Sequence, residues 1–74
     1  MKQLTPVESS NIEALGYYDG ASVMTVKFKN GSIYDYAKVP PEVYKSILEA
    51  ESVGSTFNKT VKAFPQLYPY TKVA

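Results

Sequence analysis

Seventy-four residues with no cysteine, histidine, tryptophan or arginine exclude more chemistry than they allow. Without thiol or imidazole the chain lacks disulfides, soft metal ligands, a thiol nucleophile and the usual base near neutral pH. Its net charge is only +1 and every basic residue is lysine, so a strongly basic nucleic-acid binder that reads guanine with arginine forks is excluded as well.

The carboxylates Glu8, Glu13, Asp19, Asp35, Glu42, Glu49 and Glu51 are scattered along the chain. No catalytic cluster, metal site or cofactor is expected, and the protein reads as a non-enzyme. Seven tyrosines and three phenylalanines must supply much of the core of so small a domain. The polar start "MKQLTPVESS", the missing cysteines and the lack of a long apolar run predict a cytoplasmic protein without a membrane segment.

In chain order, residues 1–8 read as a flexible arm and residues 9–74 as one domain. "NIEALGYYDG" predicts a first strand with a bulge at Gly16, because Ile12 and Leu15 cannot share a strict alternation. Asp19-Gly20 signals a hairpin turn. "ASVMTVKFK" alternates Met24, Val26 and Phe28 against Thr25, Lys27 and Lys29, and "SIYDYAKV" forms a third strand after Asn30-Gly31. Val39-Pro40-Pro41 stops the sheet. "PEVYKSILEAE" then carries a helical apolar face through Val43/Ile47 and Tyr44/Leu48. A second helix opens at Ser52 or Ser55, buries Phe57 and Val61 and ends near Ala63, ahead of Pro65. The apolar tail should pack back through Leu67, Tyr68 and Tyr70. The expected fold is α+β: a three-stranded antiparallel meander with two short helices on one face and a returning tail.

The direction of Tyr34 and Tyr36 depends on the turn at Asn30-Gly31. A two-residue turn pairs Lys29 with Ser32, turns both tyrosines to the lysine face and buries Asp35. A three-residue loop with Gly31 left-handed pairs Phe28 with Ser32, Val26 with Tyr34 and Met24 with Tyr36. The first register buries an unpaired carboxylate, at a cost on the order of several kcal/mol. The second exposes Ile33, at about 1.5–3 kcal/mol. The balance favours the bulged register with both tyrosines inward; the unbulged register is the competing one.

The succession "IEALGYYD", "VKFKNGSIYDYAKVPPEVY", "LEAESVGSTFNKTVK" and "YPYTKV" resembles the KTSC domain over residues 10–72. That family is named for its occurrence at the C-terminus of some lysyl-tRNA synthetases, and it also occurs as small stand-alone bacterial and phage proteins. The resemblance implies that Tyr34 and Tyr36 are its Tyr-x-Tyr hallmark, with Gly31 before them and Val39-Pro40 after. Ser52 and Gly54 stand at its Ser-x-Gly. These motif residues, Pro40 included, are expected to be structural. The synthetase connection suggests RNA binding.

Two surfaces are candidates for it. In the second helix, Ser52, Ser55 and Thr56 would offer hydroxyls and free N–H groups to an anion, and Asn58, Lys59 and Lys62 would follow, the lysines one turn apart. On the sheet, Lys27 and Lys29 share a face. The bland alternatives are a capped, lysine-solvated helix and a solvated strand with a Lys27–Asp35 contact. The expected partner is RNA or a nucleic-acid-processing protein. The competing function is a phage-type regulator docking on a host protein such as RNA polymerase, by a surface patch such as "FPQLYPY" or by an open sheet edge at "SVMTVKF". Oligomeric state is not legible in the sequence.

Overall fold

The computed structural model describes residues 4–74, and five antiparallel strands in consecutive order organise it. They are β1 (Thr5–Pro6), β2 (Ile12–Tyr18), β3 (Val23–Phe28), β4 (Ile33–Tyr36) and β5 (Tyr70–Lys72). Between β4 and β5 the chain forms α1 (Pro41–Leu48) and α2 (Val53–Phe57), and α2 runs on as a π-helical turn over Asn58–Lys62. The expected α+β meander is the middle of this sheet; the two terminal segments supply its edges.

The arm expected to be loose over residues 1–8 is not loose throughout. Thr5 and Pro6 pair with Leu15 and Ala14, and Val7 N–H donates to the Glu13 carbonyl at 3.1 Å. Its first three residues lie outside the described ones. The tail returns as expected but as a strand: Tyr70 faces Tyr36 and Lys72 faces Tyr34. Leu67 does not pack back and is 58% exposed. The segment "SVMTVKF" is no edge either, since β3 is paired on both sides by β2 and β4. The edges fall to β1 and β5, which are short and carry Pro6 within or Pro69 just before them. This keeps them poor templates for further pairing.

The sheet bulges at Glu13 rather than Gly16. Ile12 pairs with Phe28 but Ala14 with Lys27, so Glu13 is the extra residue, while Gly16 pairs regularly with Thr25. One added residue brings both Ile12 and Leu15 inward, fully buried, and leaves a charged side chain outside. Its carboxylate reaches the Lys27 ammonium at 3.3 Å. The β2–β3 hairpin closes through Asp19-Gly20 with four loop residues, and Ser22, not Gly20, takes the left-handed conformation at φ 55°.

At Asn30-Gly31 the register is the bulged one. Val26 pairs with Tyr34, Met24 with Tyr36 and Thr25 with Asp35. Gly31 is left-handed at φ 95°, its N–H donates to the Phe28 carbonyl at 3.0 Å, and Phe28 N–H donates to the Ser32 carbonyl at 2.8 Å. Asp35 lies on the outer face and accepts the Thr25 hydroxyl at 2.7 Å. Ile33 is half-buried rather than exposed, because the tail continues past it. Val73 and Ala74 both donate to the Ile33 carbonyl, at 2.7 and 3.2 Å.

Both helices lie on the inner face. Pro41 opens α1, where a helix needs no N–H, and the Pro40 carbonyl accepts from Val43 and Tyr44 at 3.0 and 3.2 Å. Ile47, Phe57 and Val61 reach zero exposure against Leu15, Met24 and Val26. Tyr44 stacks on Tyr17 at 4.9 Å, and the Tyr17 hydroxyl donates to the Val39 carbonyl. Among the described residues no helix is long and apolar enough to cross a membrane.

Candidate nucleic-acid interface

Strand alternation decides what the inner face carries. Tyr34 and Tyr36 share it with Phe28 on β3, and pairing adds Tyr70 and Lys72 from β5. From the helical layer Phe57 reaches Tyr36 on β4, while Tyr34 beside it is only half-buried and Tyr70 on β5 is exposed. The inner face therefore lies open there as a groove of about 720 Å³.

Aromatic rings form the floor and one wall. Tyr36 is only 5% exposed and meets Phe57 edge-on at 5.2 Å. Tyr34 is half-buried, 5.7 Å from Phe28 and 5.7 Å from Tyr70. Tyr70 lies 5.6 Å from Tyr36 and leaves 56% of its surface to solvent. Val61, Lys62 and Pro65 from the helical side and Asn11, Lys29 and Asn30 from the strand ends complete the lining. Among the described residues no carboxylate lines the groove, and neither Lys29 nor Lys62 forms an ion pair. An aromatic concavity with two uncompensated cations suits a planar, anionic ligand.

Burial raises the Tyr36 phenol above its ordinary value, and Tyr34 and Tyr70 raise it further by opposing a second negative charge. Burial also raises Tyr44, against an opposing hydrogen bond from Thr5. Both phenols thus stay neutral in the folded protein at a pH where the unfolded chain ionises, about 10. A raised folded pKa contributes stability that is intact below the unfolded value and lost as pH rises through the folded one. Folding stability is therefore expected to hold to about pH 10 and fall above it. Urea melts from pH 8 to 11, paired with tyrosinate absorbance, check this; an unchanged midpoint at pH 11 contradicts it.

The residues expected from sequence separate into several places. Lys29 and Lys62 meet at the groove. Lys27 points to the outer face beside Glu13. Ser52, Ser55, Asn58 and Lys59 line a different hollow of about 450 Å³ that also holds the acids Glu8 and Glu51. Thr56 is partly buried, and its carbonyl accepts the Thr60 hydroxyl at 2.6 Å. Lys59 and Lys62, both on the π-helical turn, line different hollows. Helix α2 has only five residues, and Ser52 makes no capping bond with its side chain. Gly31 and Pro40 hold the structural positions described above. Sequence reading placed Tyr70 among aromatics that could stack bases beside the second helix, but did not single out Phe28, Asn11 or Asn30, which line the same groove.

Residues 8–64 match the KTSC domain family. A crystal structure of a KTSC domain protein from Yersinia pestis superimposes with a TM-score of 0.88 at 27% identity, covering 100% of both chains. A protein of Stutzerimonas stutzeri is 40% identical over 67 residues, 90% of this chain and 92% of its own. The lysine–tRNA ligase of Nostoc punctiforme is 40% identical over 55 residues, which are 74% of this chain and 10% of the ligase.

Proposed function

The chain belongs to the KTSC domain family, and from that premise we propose a small, non-catalytic module that binds nucleic acid through the aromatic groove, in the setting of translation. The observation that carries this reading is the acid-free groove itself, lined by Tyr34, Tyr36 and Tyr70 together with Lys29 and Lys62. Base faces stack on such rings whatever their identity, and the ammonium groups neutralise flanking phosphates. Occurrence of a similar segment within a ligase that joins lysine to tRNA supports RNA as the nucleic acid. With net charge +1 and no arginine, the affinity is modest.

Fluorescence anisotropy of a labelled single-stranded RNA at several salt concentrations tests this. Two lysines on two phosphates give a slope of log K against log salt of about −1.4, since each contact on a single strand contributes about −0.7. The Lys29→Ala/Lys62→Ala variant is expected to flatten that slope. Absence of binding at low salt overturns the reading.

One observation favours a second reading, docking on a protein partner. Phe64 and Leu67 are 47% and 58% exposed on the chain flanking the groove wall. A partner retained from bacterial lysate after nuclease treatment supports it over the first.

A further inference from the structure

We infer that the groove takes a single unpaired nucleotide of a single-stranded nucleic acid and does not accept a duplex; this rests on the nucleic-acid reading above. Three observations carry it. The groove's volume, about 720 Å³, lies within the range of sites for small organic ligands. Its aromatic lining includes Tyr34 and the exposed Tyr70, and stacking on either ring needs a base whose face is free of its own neighbours. A duplex hides its base faces and offers phosphates along its outside, and this concavity presents only Lys29 and Lys62 to them.

The polar complement agrees. The Asn30 side-chain carbonyl already accepts Ser32 N–H at 2.9 Å, and the Asn11 carbonyl accepts the Ser9 hydroxyl at 3.1 Å. Each amide is left with its NH₂ group as donor. Together with the two ammonium groups, the rim offers donors to phosphate and base carbonyl oxygens, the acceptors one nucleotide carries. Tyr70 is the stacking ring, because it is the exposed one and lies on an edge strand where its loss leaves the core intact.

The chain lacks tryptophan, so its intrinsic emission is tyrosine emission and base stacking quenches it directly. Four probes are titrated: an eight-nucleotide RNA, the same sequence as DNA, that RNA annealed to its complement, and the mononucleotide UMP. The RNA or DNA single strand is expected to bind at least about tenfold tighter than the duplex and to quench emission. Preference between them identifies RNA or DNA as the natural strand, and UMP is expected to quench only at much higher concentration. Tyr70→Ala should lower single-strand affinity on the order of 5- to 150-fold with the salt slope unchanged, and Tyr70→Phe should keep it. Circular dichroism of both variants verifies folding. Equal binding of duplex, or an unaffected Tyr70→Ala, overturns this inference while leaving nucleic-acid binding intact. No binding of any probe overturns the proposed function itself.

Discussion

Tyr36→Ala is expected to unfold the domain or lower its melting temperature by tens of degrees. Tyr36 is 5% exposed, packs against Phe57, Tyr34 and Tyr70, and lies on a strand paired on both sides. Truncating a buried aromatic to alanine costs about 3–5 kcal/mol. A domain of this length has about 4–11 kcal/mol in total. Each kcal/mol moves the melting point of so small a domain by about 4–8 °C. Tyr36→Phe keeps the ring contacts and should cost less than about 1 kcal/mol, because an exchange of this volume leaves no cavity. Thermal melts of the three proteins decide the matter; an alanine variant melting within a few degrees of the parent contradicts it.

Gly54→Ala is the second large effect, and here two terms oppose. Alanine is a better helix former than glycine by up to about 1 kcal/mol. Its methyl, however, would lie 2.8 Å from Ser9 Oγ and 2.9 Å from Asn11 Oδ1. Neither atom is the far end of a long, yielding side chain. Ser9 Oγ also accepts the Ile12 and Asn11 N–H groups, at 3.3 and 3.4 Å, and so shapes the entry to β2. Overpacking of this kind costs about 1–3 kcal/mol, so net destabilisation is expected. Gly54→Ala/Asn11→Ala should be more stable than the two single variants sum to, by about 0.5 kcal/mol or more in a double-mutant cycle. A Gly54→Ala protein that melts at or above the parent temperature shows that the helical gain wins.

How far this was legible in the sequence depends on where the signal lay. The turn at Asn30-Gly31 was legible because burying Asp35 costs more than exposing Ile33. The inward direction of Tyr34 and Tyr36 followed from it. The conflict between Ile12 and Leu15 announced a bulge, but not its place: at Glu13 the extra residue turns outward, where its carboxylate meets Lys27, while Gly16 stays in regular pairing. The π turn had no sign, since "NKTVK" has no breaker and Phe57 and Val61 are buried in either geometry. Lys59 and Lys62, grouped as one strip, line different hollows. A three-residue β5 is too short for periodicity to reveal, so the return of Tyr70 to the body was legible but its pairing with Tyr36 was not. The choice between inward and outward tyrosines also omitted a third arrangement: inward on a face that the helices do not finish covering.

The outer wall of the groove has a further consequence. Phe28, Tyr34, Tyr36 and Lys62 fall within the span matched to the family, residues 8–64, whereas Tyr70 and Lys72 fall beyond it. The groove is thus lined partly by the matched span and partly by the tail beyond it. Tyr70 is not among the buried core residues, so exchanging residues 69–74 between relatives changes the groove wall and the β5 edge rather than the buried centre. In such chimeras, the stacking part of ligand preference should travel with Tyr70, while the salt dependence set by Lys29 and Lys62 should stay with the body.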